Sequence, residues 1–150
     1  TGAGLSGLHL NNLAPGTGTC AVVIHTADTI TIDGLLTEEH DSGIRIGAGG
    51  VTANLMLSRI RCDRLWRERG IALHIEPAEG GQVDNVQALG WWANGGYVPV
   101  LLDGQADDSA VNRVQLVSAL FADFRWGKRV PGVWREGRVT AWRETLVEWT

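Results

Sequence analysis

The sequence of 150 residues has few of the features that mark several common classes of protein. No apolar run approaches the roughly 18 residues of a membrane-spanning helix, and the first residues form no basic-then-apolar signal sequence. Thirteen Lys and Arg against seventeen Asp and Glu give a formal net charge of -4, which does not favour nucleic acid or an anionic membrane as partner. A neutral or glycan-like partner suits this composition better.

Cysteine is also scarce. Two cysteines, Cys20 and Cys62, are too few for the disulfide framework of small secreted domains, and we expect both to be buried thiols. The aromatic residues are one Tyr, two Phe and seven Trp, while twenty glycines predict frequent turns. The chain should therefore be a globular domain with many turns and an unusual share of indole side chains.

A short apolar pattern returns along the chain at nearly constant spacing. Its middle positions follow one another at intervals of 22, 25, 29, 28 and 28, and they are Leu10, Ile32, Leu57, Val86, Val114 and Trp142. A second series has intervals of 22, 27, 27 and 35 and begins at Val22, Ile44, Ile71, Val98 and Val133. Such interleaved period-2 segments, each followed by turn residues, are typical of a chain whose successive coils stack on one another.

Two other interpretations of this pattern are weaker. A β-sandwich also strings short strands together, but it does not explain two interleaved series that recur at such long and similar intervals. A helix is conceivable from Ser109 to Phe124, where helix breakers are few. The place of this stretch in the first series predicts a strand instead.

The coil length, the strand entries at residues 41–46 and 69–73, and the Asn and Asp residues near turns together carry a resemblance. From Leu5 to about Val139 the sequence resembles the right-handed parallel β-helix of pectate-lyase-like proteins and bacteriophage tailspikes. The resemblance implies an all-β, right-handed, single-stranded parallel β-helix (a solenoid) of about five to six coils. Residues 1–124 would form the coils, and residues 125–150 would form an irregular C-terminal end that is a last coil, a cap or an oligomerisation segment.

The same resemblance suggests a function. It implies a phage tail spike or tail fiber fragment that attaches to host-surface polysaccharide, located in the virion tail or, alternatively, secreted. The expected partners are the chain's own upstream polypeptide and further copies of itself, a homotrimer if it is tailspike-like; nucleic acid and membrane insertion are not expected. Two alternatives stay open: a polysaccharide lyase or glycoside hydrolase of the pectate-lyase-like superfamily, and a purely structural shaft.

Candidate catalytic residues are weak. Asp41 and Glu68 each stand three residues before an apolar start of the second series, so stacking would place them about one strand spacing, roughly 5 Å, apart. The only Asp-Asp pair, at 107–108, lacks the Gly-His-Gly and Arg-any-Lys motifs of polygalacturonase-like enzymes. His40, between Glu39 and Asp41, lies in the densest group of His and carboxylates. We lean against an enzyme and expect no cofactor and no bound metal.

The best candidate binding residues are aromatic. Trp91 and Trp92 are adjacent, so on an extended chain one indole points inward and the other outward. An exposed indole can stack on a sugar, and Trp is enriched at binding hot spots. Arg125 and Trp126 begin a basic, aromatic stretch that can hold an acidic sugar. We therefore expect glycan contacts at Trp91, Trp92, Arg125 and Trp126, or else a cap or subunit interface.

Overall fold

The computed structural model describes residues 3–13, 17–47, 50–104, 108–125 and 138–150. Within these ranges the chain forms ten strands and no helix, which confirms the all-β prediction. The described residues contain no helix with the length and apolarity needed to cross a membrane. The strands are β1 (Ala3–Asn11), β2 (Cys20–Ile24), β3 (Ala27–Glu38), β4 (Ser42–Ile46), β5 (Val51–Leu65), β6 (Ile71–Ile75), β7 (Gln82–Gly95), β8 (Val98–Leu102), β9 (Ala110–Ala122) and β10 (Arg138–Trp149).

The strands form two parallel sheets that share one coiling chain. A six-stranded sheet has the order β1-β3-β5-β7-β9-β10, and a four-stranded sheet has the order β2-β4-β6-β8. Because the chain alternates between the sheets, each turn adds one strand to each, and the result is a parallel β-solenoid. Within the described residues the solenoid has about four turns rather than the five to six expected, since four strands of the smaller sheet are described, the last of them β8. The right-handed sense stays a prediction from the crossover preference of parallel strands.

The long strands of the larger sheet bend at residues in the left-handed conformation. In β5 these corners are Asn54, Arg59 and Arg64, with φ of 55°, 52° and 52°. The buried positions of β5 alternate in steps of three and two, and they are Thr52, Leu55, Leu57, Ile60, Cys62 and Leu65. Each step of three spans a corner, where the reversed φ turns the chain while both flanking side chains stay inside. One long strand thereby supplies three faces of a coil.

The core lies inside the coils, in stacks of apolar residues from successive turns. Ile32, Leu57 and Ala88 are register partners, and Leu57 is 0% exposed, as the repeat analysis predicts for a core position. Val86 is aligned with Leu55, so our placement of Val86 above Leu57 is wrong by two residues. A period-2 pattern matches itself after a shift of two, which leaves such a choice of register undecided in the sequence.

The smaller sheet shows the same kind of error. Val22 pairs with Ile44 and Ile71 pairs with Val98, as their spacing predicts. Ile44 pairs with Leu73 rather than with Ile71, although β4 and β6 are adjacent parallel strands. Val133, the last expected member of this series, lies outside the described residues.

The two sheets approach each other closely at Gly43 and Cys62. A Cβ at Gly43 would lie 2.6 Å from both the Ala72 carbonyl oxygen and the Cys62 Sγ, so only glycine fits there. Cys62 is buried, and burial raises the pKa of its thiol to about 12. Cys20 is half-buried, and both thiols are free.

Side chains outside the core join one coil to the next. Asn85 Nδ2 donates to Asn54 Oδ1 over 2.8 Å, and Asn54 Nδ2 donates to Asp28 Oδ1 over 2.8 Å, which forms an amide ladder along one corner. At another corner the Arg59 guanidinium binds both oxygens of Asp33. This hydrogen bonding lowers the pKa of the Asp33 carboxyl to about 2. These contacts link successive coils at surface positions outside the apolar core.

Aromatic residues also pack at the C-terminal end. β10 pairs in parallel with β9 and continues the six-stranded sheet. The described part of the segment 125–150 therefore includes a further strand of the solenoid. Trp149 stacks on Phe121 with ring centroids 4.6 Å apart, and the Nε1 atoms of Trp142 and Trp149 donate to opposite oxygens of Glu144. The indoles of β10 thus pack against the core, and Trp149 covers Phe121 of β9.

Candidate functional site

The two adjacent tryptophans of β7 point in opposite directions. Trp91 is 1% exposed and aligned with Ile60 in the core, while Trp92 is only half-buried on the outer surface. Alternation along an extended strand produces this arrangement, because neighbouring side chains leave opposite faces. Of the two, only Trp92 can contact a ligand outside the solenoid.

Trp92 belongs to an outward row that crosses several coils. The row contains the register partners His9, Leu36, Arg61, Trp92, Leu120 and Glu148. The Arg61 guanidinium carbon lies 4.6 Å from the centroid of the Trp92 ring, a cation–π geometry, and Arg61 also donates to Asp63 over 3.3 Å. Arg61 therefore covers the side of the indole that faces β5 and fixes the orientation of the ring.

A surface depression of about 320 Å³ lies on the other side of Trp92. Its lining residues from β9 and β10 include Leu120, Leu146 and Glu148, and Leu146 is 77% exposed at a corner with φ of 53°. We call the surface formed by Trp92, Leu120, Leu146 and Glu148 the Trp92 face. It combines an indole, two aliphatic side chains and a carboxylate on a shallow, open surface.

A second depression, of about 310 Å³, lies on the same strands, but the left-handed corners at Gly90 and Ser118 separate it from the Trp92 face. Its lining includes Gln87, Gln115 and Arg143, which are register partners in an outward row. Arg113 also lines it, but its guanidinium already binds both oxygens of Asp84. Its two amides and its guanidinium therefore belong to a different face of the solenoid from Trp92.

The basic stretch at residues 125–126 is only partly described. The Arg125 guanidinium carbon lies 5.8 Å from the centroid of the Tyr97 ring, and its backbone N–H donates to the Gly96 carbonyl. Within the described part of the chain, Arg125 does not line the depression beside Trp92. Trp126 lies outside the described residues, so its predicted glycan contact is untested.

The two carboxylates considered for catalysis have different surroundings. The Ile71 N–H donates to the Asp41 carbonyl, so Asp41 is aligned with Gly70, and the stacking that we expected with Glu68 is wrong by two residues. The Asp41 carboxylate is buried, 3.1 Å from Arg69 Nε. Glu68 is exposed in the turn before β6. The alignment therefore gives no support to a carboxylate pair at these positions.

The carboxylates around His40 are likewise held by other partners. Glu38 Oε2 lies 2.6 Å from His9 Nε2, and Asp41 contacts Arg69. Burial lowers the pKa of His40, while the Leu10 backbone and Asp41 act in the opposite direction. The expected His and carboxylate group is thus dispersed.

A different group of ionisable residues comes together at the end of the four-stranded sheet. His74, on the outer side of β6, lies beside the buried carboxylates Glu76 and Asp103, and the Arg45 guanidinium binds both oxygens of Glu76. Our sequence reasoning missed this cluster. The interval from Ile71 to Val98 in the second apolar series also separates Glu76 from Asp103, so the signal was present.

Comparison of this chain with protein-family models, with curated proteins and with solved structures finds no match.

Proposed function

We propose that this chain is a β-helix section of a phage tail spike or tail fiber that attaches to host-surface polysaccharide through the Trp92 face. The observation that carries the proposal is the outward indole of Trp92, held by Arg61 on one side and bordering a depression on the other. The C–H face of a pyranose ring stacks on an indole, and a carboxylate such as that of Glu148 accepts hydrogen bonds from sugar hydroxyls. This function implies that the protein is located in the virion tail or, alternatively, is secreted.

The solenoid supports this function in a second way. Its register brings outward side chains of β7, β9 and β10 into rows one strand spacing, about 4.8 Å, apart. A polymer with repeating sugars can contact several coils at once, because Trp92, Leu120 and Glu148 are register partners on three successive coils. Many weak contacts along a chain add to useful avidity.

The Trp92→Ala variant tests the proposal. We expect it to unfold within about 4 °C of the wild-type temperature and to lose at least about tenfold in affinity for host cell-surface polysaccharide, since one stacked side chain is worth about 1.4 kcal/mol or more at a hot spot. Affinity is measured by sedimentation with purified polysaccharide. Val51→Ala is the matched control: Val51 is 54% exposed at the start of β5 and lines neither depression, so this variant should bind as the wild type does. Unchanged binding by Trp92→Ala would refute the role of the Trp92 face.

A polysaccharide lyase or glycoside hydrolase is the alternative function, and the cluster of His74 with Glu76 and Asp103 is the observation that favours it. An imidazole beside two carboxylates can move protons during glycosidic bond cleavage. Release of reducing sugar or unsaturated uronide from the bound polysaccharide would support the enzyme, and binding without release would support attachment. If the chain neither binds nor cleaves the polysaccharide, the remaining interpretation is a purely structural shaft.

The proposal includes partners that cover the N-terminal edge of the solenoid. β1 is the edge strand of the six-stranded sheet, and apolar side chains including Leu5, Val22 and Ile30 line a depression of about 340 Å³ beside it. An exposed edge of this kind pairs readily with another chain. Upstream polypeptide, or further copies in a homotrimer, would cover it. We expect the isolated chain to sediment as an oligomer, and a well-folded monomer would contradict this.

A further inference from the structure

Three potential metal ligands converge where the four-stranded sheet ends. Glu76 follows β6 and Asp103 follows β8; the Glu76 N–H donates to the Ile46 carbonyl, and the Asp103 N–H donates to the Ile75 carbonyl. These bonds continue the parallel register by one residue, so the two carboxylates lie on adjacent coils. His74 stands two residues before Glu76 and therefore leaves the strand on the same side.

The distances in this cluster suit a shared cation. His74 Nε2 lies 3.3 Å from Glu76 Oε2 and 3.6 Å from Asp103 Oδ2, and one ligand atom from each residue lies within 4.8 Å of the others. Ligands about 2.1 Å from one metal ion are separated from each other by roughly 3.0 to 3.4 Å in octahedral or tetrahedral geometry. Small side-chain movements therefore bring all three atoms into coordination distance.

The imidazole faces both carboxylates. His74 Nε2 is buried and lies within 3.6 Å of an oxygen of each of them. A metal ion binds the neutral imidazole through the lone pair of this nitrogen, so binding would displace a proton held at Nε2.

The charge of the cluster is compatible with a cation. Glu76 and Asp103 are each 8% exposed, and the Arg45 guanidinium binds Glu76. A divalent cation between the two carboxylates would add positive charge in a place where burial strengthens its attraction to them. Arg45 would then hold a ligating carboxylate from behind, as groups around metal ligands commonly do.

We propose that His74, Glu76 and Asp103 bind a divalent transition-metal cation such as Zn²⁺. One imidazole nitrogen and two carboxylate oxygens select Zn²⁺ or a neighbouring first-row metal over Ca²⁺, which prefers oxygen ligands alone. The His74 side chain is 12% exposed, so the site has access to solvent, and three protein ligands leave a coordination position for water. This inference does not depend on glycan attachment.

The experiment is calorimetric titration of the metal-stripped chain with Zn²⁺ near pH 7.5. We expect one ion to bind per chain, with an accompanying rise in the unfolding temperature. His74→Ala should bind at least about 100-fold more weakly, and Asp103→Asn, which keeps the side-chain shape, at least about tenfold more weakly.

The matched control is His25→Ala. His25 follows β2 in the same row as Glu76 and Asp103, but it is separated from Glu76 by a coil on which this position is Gly47. This variant should bind Zn²⁺ as the wild-type chain does. Absence of binding to the wild-type chain, or equal binding by the wild-type chain and Asp103→Asn, would overturn the proposal.

Discussion

The Leu57→Asp variant is expected to lose most or all of its folded structure. Leu57 is 0% exposed and is stacked between Ile32 and Ala88 in the core of the solenoid. The aspartate would bury a charge without a partner and remove an apolar side chain, which should lower the free energy of unfolding by about 4 kcal/mol or more. Chemical denaturation followed by circular dichroism measures the change, and total stabilities of small domains are only about 5 to 15 kcal/mol.

Met56→Asp is the matched control for this variant. Met56 is the preceding residue of β5, points outward and is 42% exposed. The same charge placed there remains in water, so the free energy of unfolding should change by less than about 1 kcal/mol. If both variants lose the same stability, the inward and outward faces of β5 would have to be assigned differently.

The Trp91→Ala variant should have the second largest effect. Trp91 is 1% exposed and is among the largest side chains enclosed in the core. Its truncation leaves a cavity beside Ile60 and should lower the free energy of unfolding by about 3 to 5 kcal/mol. Chemical denaturation measures this effect: the midpoint denaturant concentration should fall, while the slope of the unfolding free energy against denaturant concentration should not change.

Trp92→Ala provides the comparison within the same strand. This substitution removes a cation–π contact with Arg61 at a half-buried site, which should lower the free energy of unfolding by about 0.5 to 1 kcal/mol. The two substitutions should therefore separate folding from ligand binding. Equal destabilisation by both would assign the pair to packing and would remove the main support for the Trp92 face.

The repeating sequence predicted the architecture and part of the register. Ile32 with Leu57, Val22 with Ile44 and Ile71 with Val98 could be aligned correctly, because the length of a coil follows from recurring apolar segments. Registers that differ by two residues bury the same face, so apolar alternation alone could not align Leu57 with Ala88. The non-glycine corners were also missed, since left-handed residues such as Arg59 carry no compositional signal.

The site was predictable to a smaller extent. Opposite directions for Trp91 and Trp92 follow from the geometry of a strand, and which of them is inward depends on the corner at Gly90, with φ of 66°. The cluster of His74 and Glu76 with Asp103 needs contacts between successive coils, together with the burial that only the folded chain defines. Sequence motifs written along one segment do not contain such information.

Both proposals depend on the alignment of successive coils, and methyl nuclear Overhauser effects measure this alignment most directly. The structure predicts strong contacts of Leu57 with Ala88 and of Ile44 with Leu73, since these residues are register partners on adjacent strands. Contacts two residues along the strand are longer, about 7 to 8 Å, and should be much weaker. Dominant contacts of Leu57 with Val86 and of Ile44 with Ile71 would contradict the account.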